Sequence, residues 1–181
     1  DTHPFSLIGD AEEVTDGVAF VPSFANGSAI ATDAGLVLVD TGSPPLAQHV
    51  HTTVRAWNAA PLDTAIFSHG HIDHVFGVAP FEEEAATKGW AAPRVVGHEA
   101  MPARFDRYQL TAGYNEVVNR RQFAMDDLTW PRDYRYPDVT YADTLDLEVG
   151  GLDVRLTHTK GETDDHTYTW IPERKVLCCG D

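Results

Sequence analysis

His69-Gly70-His71-Ile72-Asp73-His74 directly follows the apolar-leaning run Thr64-Ala65-Ile66-Phe67-Ser68. That run reads as a strand. A strand entering the hexapeptide places His69 and His71 on one side, because alternate residues of extended chain share a face. Asp73 and His74 then project beyond them as a second set of donors. Imidazole nitrogen and carboxylate oxygen are what zinc and neighbouring transition metals take. A polar loop that happens to be rich in histidine is the competing reading, and the spacing favours a metal site over it.

Working outward, Gly35-Leu36-Val37-Leu38-Val39 upstream is a continuous apolar run, suited to a strand buried on both faces, and it ends in Asp40-Thr41-Gly42. Downstream lie Thr159-Lys160-Gly161-Glu162-Thr163 and then Val176-Leu177-Cys178-Cys179-Gly180-Asp181. In this order the segments resemble the landmarks of the metallo-β-lactamase superfamily. The His-x-His-x-Asp-His spacing, the strand ending in Asp-Thr-Gly and the strand ending in Gly-Asp all match. The resemblance implies an α/β fold, an αββα sandwich of two sheets flanked by helices, of which this chain is the N-terminal portion. Residues 1–181 are then one incomplete domain, since a half-sandwich leaves an apolar sheet face uncovered.

One departure from the common pattern is Glu162, which stands where family members usually carry a third metal histidine. A glutamate there is similar to the alkylsulfatase-like branch. The neighbourhood Gly161 to His166, and the stretches Gly113-Tyr114-Asn115 and Asn119-Arg120-Arg121-Gln122-Phe123, also resemble that branch.

By the resemblance, His69, His71 and Glu162 hold one metal, Asp73 and His74 hold the other, and Asp181 bridges them, with one further histidine outside this chain. Three carboxylates, Asp73, Glu162 and Asp181, set against two divalent ions leave a charge suited to a hydroxide and one anionic substrate group. Zinc is the first choice for the pair, with manganese or iron as alternatives given the oxygen ligands. His166 and His158, four residues to either side of Glu162, compete with it as third ligand. Asp40 is expected to support the ligands from behind, or else to cap a turn. Tyr114, Asn115, Arg120 and Arg121 are candidate substrate contacts, because a guanidinium grips sulfate or carboxylate bidentately. An arginine-rich helix end is as readily a solvated or salt-bridged one.

Other residues read as structural. Asp164 and Asp165 are expected as loop acids, one of them a possible partner to a ligand histidine. Cys178 and Cys179 are adjacent and poorly placed for a disulfide, so they read as strand residues, with a thiolate ligand as the sharper alternative. His3, His49, His51 and His98 carry no ligand spacing and read as surface or packing residues.

The chain of 181 residues is long enough for one substantial core. Its net charge of -15 argues against nucleic acid or an anionic membrane as partner. It does not exclude an anionic small molecule, since two metal ions invert the local field. No run approaches the apolar length of a spanning helix, and the compartment stays open, the cytoplasm slightly favoured. The expectation is a hydrolase with a hydroxide bridging two metal ions, in which Asp73 orients the hydroxide, acting on a small-molecule ester, a sulfate ester first. Lactone, thioester, phosphodiester or β-lactam hydrolysis uses the same centre. An iron-dependent oxidoreductase and a non-catalytic metal-binding segment are the readings from other classes.

Local patterns predict strands at 18–21, 28–32, 36–39, 64–68 and 94–97 and hairpins spanning 145–157 and 168–177, with Asn26-Gly27 and Gly150-Gly151 as turns. Ser43-Pro44 reads as an N-cap and first helical position opening a helix to about Asn58. A short solvated helix is expected over 81–88, and a longer helical stretch from His98 to Phe123, interrupted at Gly113. Residues 125–143, with Trp130, Tyr134, Tyr136 and Tyr141 among prolines, read as a long loop, either a surface connection or a substrate-facing flap.

Overall fold

In the computed structural model, residues 8–181 are described; His3 lies outside them. A seven-stranded sheet carries β1 (Glu12–Thr15), β2 (Val18–Val21), β3 (Gly27–Thr32), β4 (Gly35–Val39), β5 (Leu62–Ile66), β6 (Arg94–His98) and β7 (Val139–Tyr141) in sequential order. Pairing is antiparallel from β1 to β4 and parallel from β4 to β7. The switch coincides with a change in connection. Hairpins join the first strands, whereas α1 (Ala47–Trp57) and α3 (Ala79–Lys88) lie in the crossovers after β4 and β5. A second sheet of β8 (Thr144–Val149), β9 (Leu152–His158), β10 (Thr167–Ile171) and β11 (Val176–Cys178) is antiparallel throughout.

Every residue of β4 is buried, because its sheet is covered on both faces. One face supplies Leu36, Leu38, Ala65, Phe67 and Val95 to a core shared with Val50 and Val54 of α1, Phe81 of α3, and Met101 and Phe105 of α4 (Met101–Leu110). The other supplies Val37, Val39, Ile66 and Val96 to a core shared with Val154 and Leu156 of β9 and Ile171 of β10. The layers therefore run helices, large sheet, small sheet, the α/β sandwich class expected from the sequence. Cys178 packs into the second core as a neutral thiol, its pKa pushed up to about 11 by burial, while Cys179 is exposed.

Four local expectations are corrected. Asn26-Gly27 is not a two-residue hairpin turn: Gly27 already pairs with Val21, and Asn26 Oδ1 instead accepts the Ser23 N–H inside a longer connection. Ser43 makes no side-chain cap, and Pro44–Leu46 is a 3-10 turn that precedes α1. The stretch after His98 breaks at Thr111, not Gly113, into α4 and α5 (Ala112–Phe123). The long loop is interrupted by β7, which the aromatic and proline content of that stretch concealed.

Candidate metal centre

The parallel strands β4 and β5 end side by side, so the turns that follow them meet. Asp40 leaves β4 with φ at +59°, a left-handed conformation that aspartate tolerates better than most residues. Its buried carboxylate accepts the Ser68 N–H at 2.8 Å and the Ser68 hydroxyl at 2.7 Å, and lies 2.9 Å from Nδ1 of His74. Ser68, having given its proton to Asp40, presents its oxygen to Nδ1 of His69 at 3.0 Å. Both imidazoles thereby keep a proton on Nδ1, which turns Nε2 of each toward the other donors. One carboxylate orients two histidines.

The free nitrogens converge. His69 Nε2 stands 3.0 Å from His71 Nδ1, and Glu162 Oε2 stands 3.2 Å from the first and 2.9 Å from the second. Three ligands on a tetrahedral zinc with arms of about 2.0–2.1 Å would be about 3.4 Å apart, so small outward movements accommodate an ion. A second group joins His69, His74 and Asp181, with His74 Nε2 3.3 Å from Asp181 Oδ2. His69 belongs to both groups. Convergent imidazole and carboxylate donors around a buried histidine fit two adjacent divalent ions.

Electrostatics separate the two buried rings. Burial, and then the charge of nearby His74, holds His69 at about 3, so it is neutral and ready to ligate. Burial opposes charge on His74 as well, but the Asp40 carboxylate and the hydrogen bonds with Asp181 and Asp40 outweigh it and raise that ring to about 10. Asp181 is lowered, first by its hydrogen bond to His74.

The remaining candidates are placed as follows. Asp73 stands in the first turn of the short helix α2 (Ile72–Val75), its Oδ2 3.8 Å from His74 Nε2, outside both tight groups but at the rim of a groove. His166 does not join the donors: its Nε2 lies 2.6 Å from the Cys179 carbonyl and its ring stacks on His69. His158 stacks on His98 and approaches the His166 carbonyl. Neither cysteine enters either group. His49 approaches the Pro22 carbonyl and His51 meets Glu84, both packing roles.

The groove, about 700 Å³, opens beside His71 and Asp73 and runs between α5 and the loop from Met125 to Pro131. Phe24, Phe123, Leu128 and Trp130 supply apolar surface, and Asn115, Asn119 and Gln122 supply a row of carboxamides along one face of α5. The stretch at 125–131 is therefore groove-facing. Of the four expected substrate contacts, Asn115 lines the groove and the others do not. Arg120 is turned to the Leu128 carbonyl at 2.7 Å and to Glu116 at 2.8 Å, and Arg121 and Tyr114 are exposed. The Arg120 guanidinium thus ties α5 to the 125–131 loop through the Leu128 carbonyl.

Ser68 escaped the sequence reading because a serine before a histidine has no distinguishing spacing. So did Arg104, which reaches from α4 to the fully buried Asp165 at 2.9 Å.

The metallo-beta-lactamase superfamily model matches residues 21–181. The chain is 25% identical over 154 residues to the beta-lactamase-like protein 2 homolog of Caenorhabditis elegans, covering 84% of this chain and 42% of that protein. It is 25% identical over 160 residues to a linear primary-alkylsulfatase of Pseudomonas sp. (strain ATCC 19151), covering 79% of this chain and 30% of that one. Among solved structures, the stereoselective inverting sec-alkylsulfatase from Pseudomonas sp. superposes with a TM-score of 0.74 at 20% identity, over 94% of this chain and 30% of that chain. A subclass B3 metallo-beta-lactamase of Bradyrhizobium japonicum superposes at 0.67 and 18% identity, over 93% and 58%. The chain thus spans less than half the length of the two sequence relatives.

Proposed function

The chain belongs to the metallo-β-lactamase superfamily, and from that premise we propose that it is the metal-binding part of a two-metal hydrolase acting on a small-molecule ester, a sulfate ester by preference. The observation that carries the reading is the pair of donor groups sharing His69, one completed by His71 and Glu162 and the other by His74 and Asp181. Residues 1–181 are taken as part of a single domain of this fold. Zinc suits the two histidines of the first group, and the carboxylates leave room for manganese or iron.

When bound, divalent ions supply an acidified water near neutral pH and electrophilic stabilisation of the oxygen that gains charge. The chain's own residues do the rest. Asp40 and Ser68 hold His69 and His74 with their Nε2 lone pairs directed at the ion positions. Asp73, about a quarter exposed and lining the groove beside the donors, would orient the attacking water and take its proton. The groove receives the part of the substrate away from the scissile bond. Among the described residues, Asp73 and Asp127 are the carboxylates that line it and no lysine or arginine does, so it favours an uncharged organic portion.

Support for a sulfate ester is the glutamate at 162 and the kinship with a protein named as a linear primary-alkylsulfatase. The solved β-lactamase structures are alike in fold alone, and the beta-lactamase-like relative matches at the same 25% identity as the alkylsulfatase. The test is elemental analysis of the full chain beside His71→Ala, with turnover of an alkyl sulfate, a lactone, a thioester, a phosphodiester and a β-lactam. Two ions per chain, one or both lost in the variant, with the alkyl sulfate turned over fastest, is the expected result. A single iron with redox activity, or full activity in the variant, would sink it.

A further inference from the structure

We propose that Arg104 and Asp165 are a positioning pair that sets how His71 and Glu162 approach the shared His69, and so governs affinity at that metal position separately from the position completed by His74 and Asp181. The inference rests on the metal-binding reading above and adds to it a control that lies outside the donors.

Two loops must meet to complete the first donor group, and this one ion pair touches both. On the Glu162 side, Asp165 is fully buried, with one oxygen accepting from Arg104 Nε at 2.9 Å and the other from the Thr163 hydroxyl. A second arm of the guanidinium holds Asp164. The three residues following Glu162 are thus all tied to the pair. On the histidine side, Gly70 rests directly upon it: a Cβ there would stand 2.6 Å from Arg104 Cδ and 2.7 Å from Asp165 Oδ2. The backbone linking His69 to His71 can approach this closely only because residue 70 has no side chain.

A buried ion pair adds little net stability over apolar packing of the same volume. What a guanidinium fork adds is direction, since its donors are coplanar and rigid. Here that direction sets the height of the Glu162 loop over the histidine loop, with Glu162 Oε2 arriving 2.9 Å from His71 Nδ1. His74 is held by a different carboxylate, Asp40. Glu162 itself is half-exposed, so the residues after it, not packing around its own side chain, fix where it points.

The experiment is cobalt(II) titration of the full chain, read by the visible absorption of each bound equivalent and by calorimetry. Arg104→Lys keeps the charge but not the fork. Arg104→Gln with Asp165→Asn removes both charges and leaves no lone buried carboxylate. His71→Ala identifies which equivalent belongs to the first group. Both pair variants are expected to keep the near-UV circular dichroism of the parent while the equivalent lost in His71→Ala weakens about 10- to 100-fold. The other equivalent keeps its affinity and spectrum. Equal weakening of both equivalents, no change in either, or failure of both variants to fold overturns the positioning role. A parent chain that binds no cobalt overturns the metal-binding reading instead, and this inference with it.

Discussion

Asp40 Oδ2 lies 2.9 Å from His74 Nδ1, with both side chains buried. The same carboxylate takes the Ser68 hydroxyl that faces His69, so it orients one imidazole directly and the other through a single atom. Asp40→Asn preserves size and suits the left-handed backbone at φ +59°. An amide, however, cannot accept from Ser68 and His74 with the strength of a carboxylate. We expect a loss of metal affinity of about 10- to 100-fold, measured by competition with a chromophoric chelator. Unlike the Arg104 variants, this one should weaken both ions.

Glu162→His exchanges the carboxylate of the proposed first group for an imidazole. The chain should still bind two ions, with selectivity moved from manganese toward zinc, because imidazole is the softer ligand. Competitive loading followed by elemental analysis decides it. An unchanged metal ratio would mean that Glu162 is not a ligand.

Trp130 stands in the groove between α5 and the 125–131 loop. Trp130→Ala should raise KM for an alkyl sulfate of long chain by about tenfold or more, since burying a large apolar group is worth about 1.5–3 kcal/mol. kcat should change little, because the contact is made equally before and during the reaction. Steady-state kinetics against a series of chain lengths supplies the measurement, and the penalty should shrink for the shortest ester.

Glu84 joins α3 to α1 by accepting from Arg55 at 2.5 Å and meeting His51 at 3.1 Å, with Lys88 at 2.7 Å. Burial works against its charge, but the Lys88, Arg55 and His51 hydrogen bonds prevail and bring its pKa from 4.5 to about 2. A carboxyl lowered by folding stabilises the fold above its unfolded value, and that stabilisation is lost as pH falls through the folded one. Glu84→Gln should therefore cost about 1–2 kcal/mol at pH 7. Urea denaturation from pH 7 to pH 3 should show the parent's advantage narrowing below about pH 4.5. A gap constant across that range would contradict the account.

Much of the convergence of side chains at the candidate centre was legible in spacing. His69, His71 and His74 follow from a strand feeding a short loop, and Asp40 follows from a buried strand that ends in a polar turn. Residues whose role depends on a distant partner were not readable. Arg120 looked like an anion grip until the fold turned it toward Glu116 and the Leu128 carbonyl. Asp165 looked like an ordinary loop acid until α4 delivered Arg104 to it across 61 positions of sequence. Asn26-Gly27 has the composition of a tight turn, yet the register of β2 on β3 placed Gly27 inside a strand.

The sequence by itself determined the spacing of His69, His71, Asp73 and His74 and the continuous apolar run that buries β4, because these depend on neighbours one to five positions apart. Only the tertiary structure decided which donors meet. Glu162 lies in the connection from β9 to β10 and Asp181 just after β11, and their distance from the histidines is set by how the second sheet packs on the first. The same packing sent His166 to a backbone carbonyl and left Glu162 facing His71. Contacts between segments so far apart in sequence are fixed by burial of both sheet faces together, a property of the whole chain and of no local pattern within it.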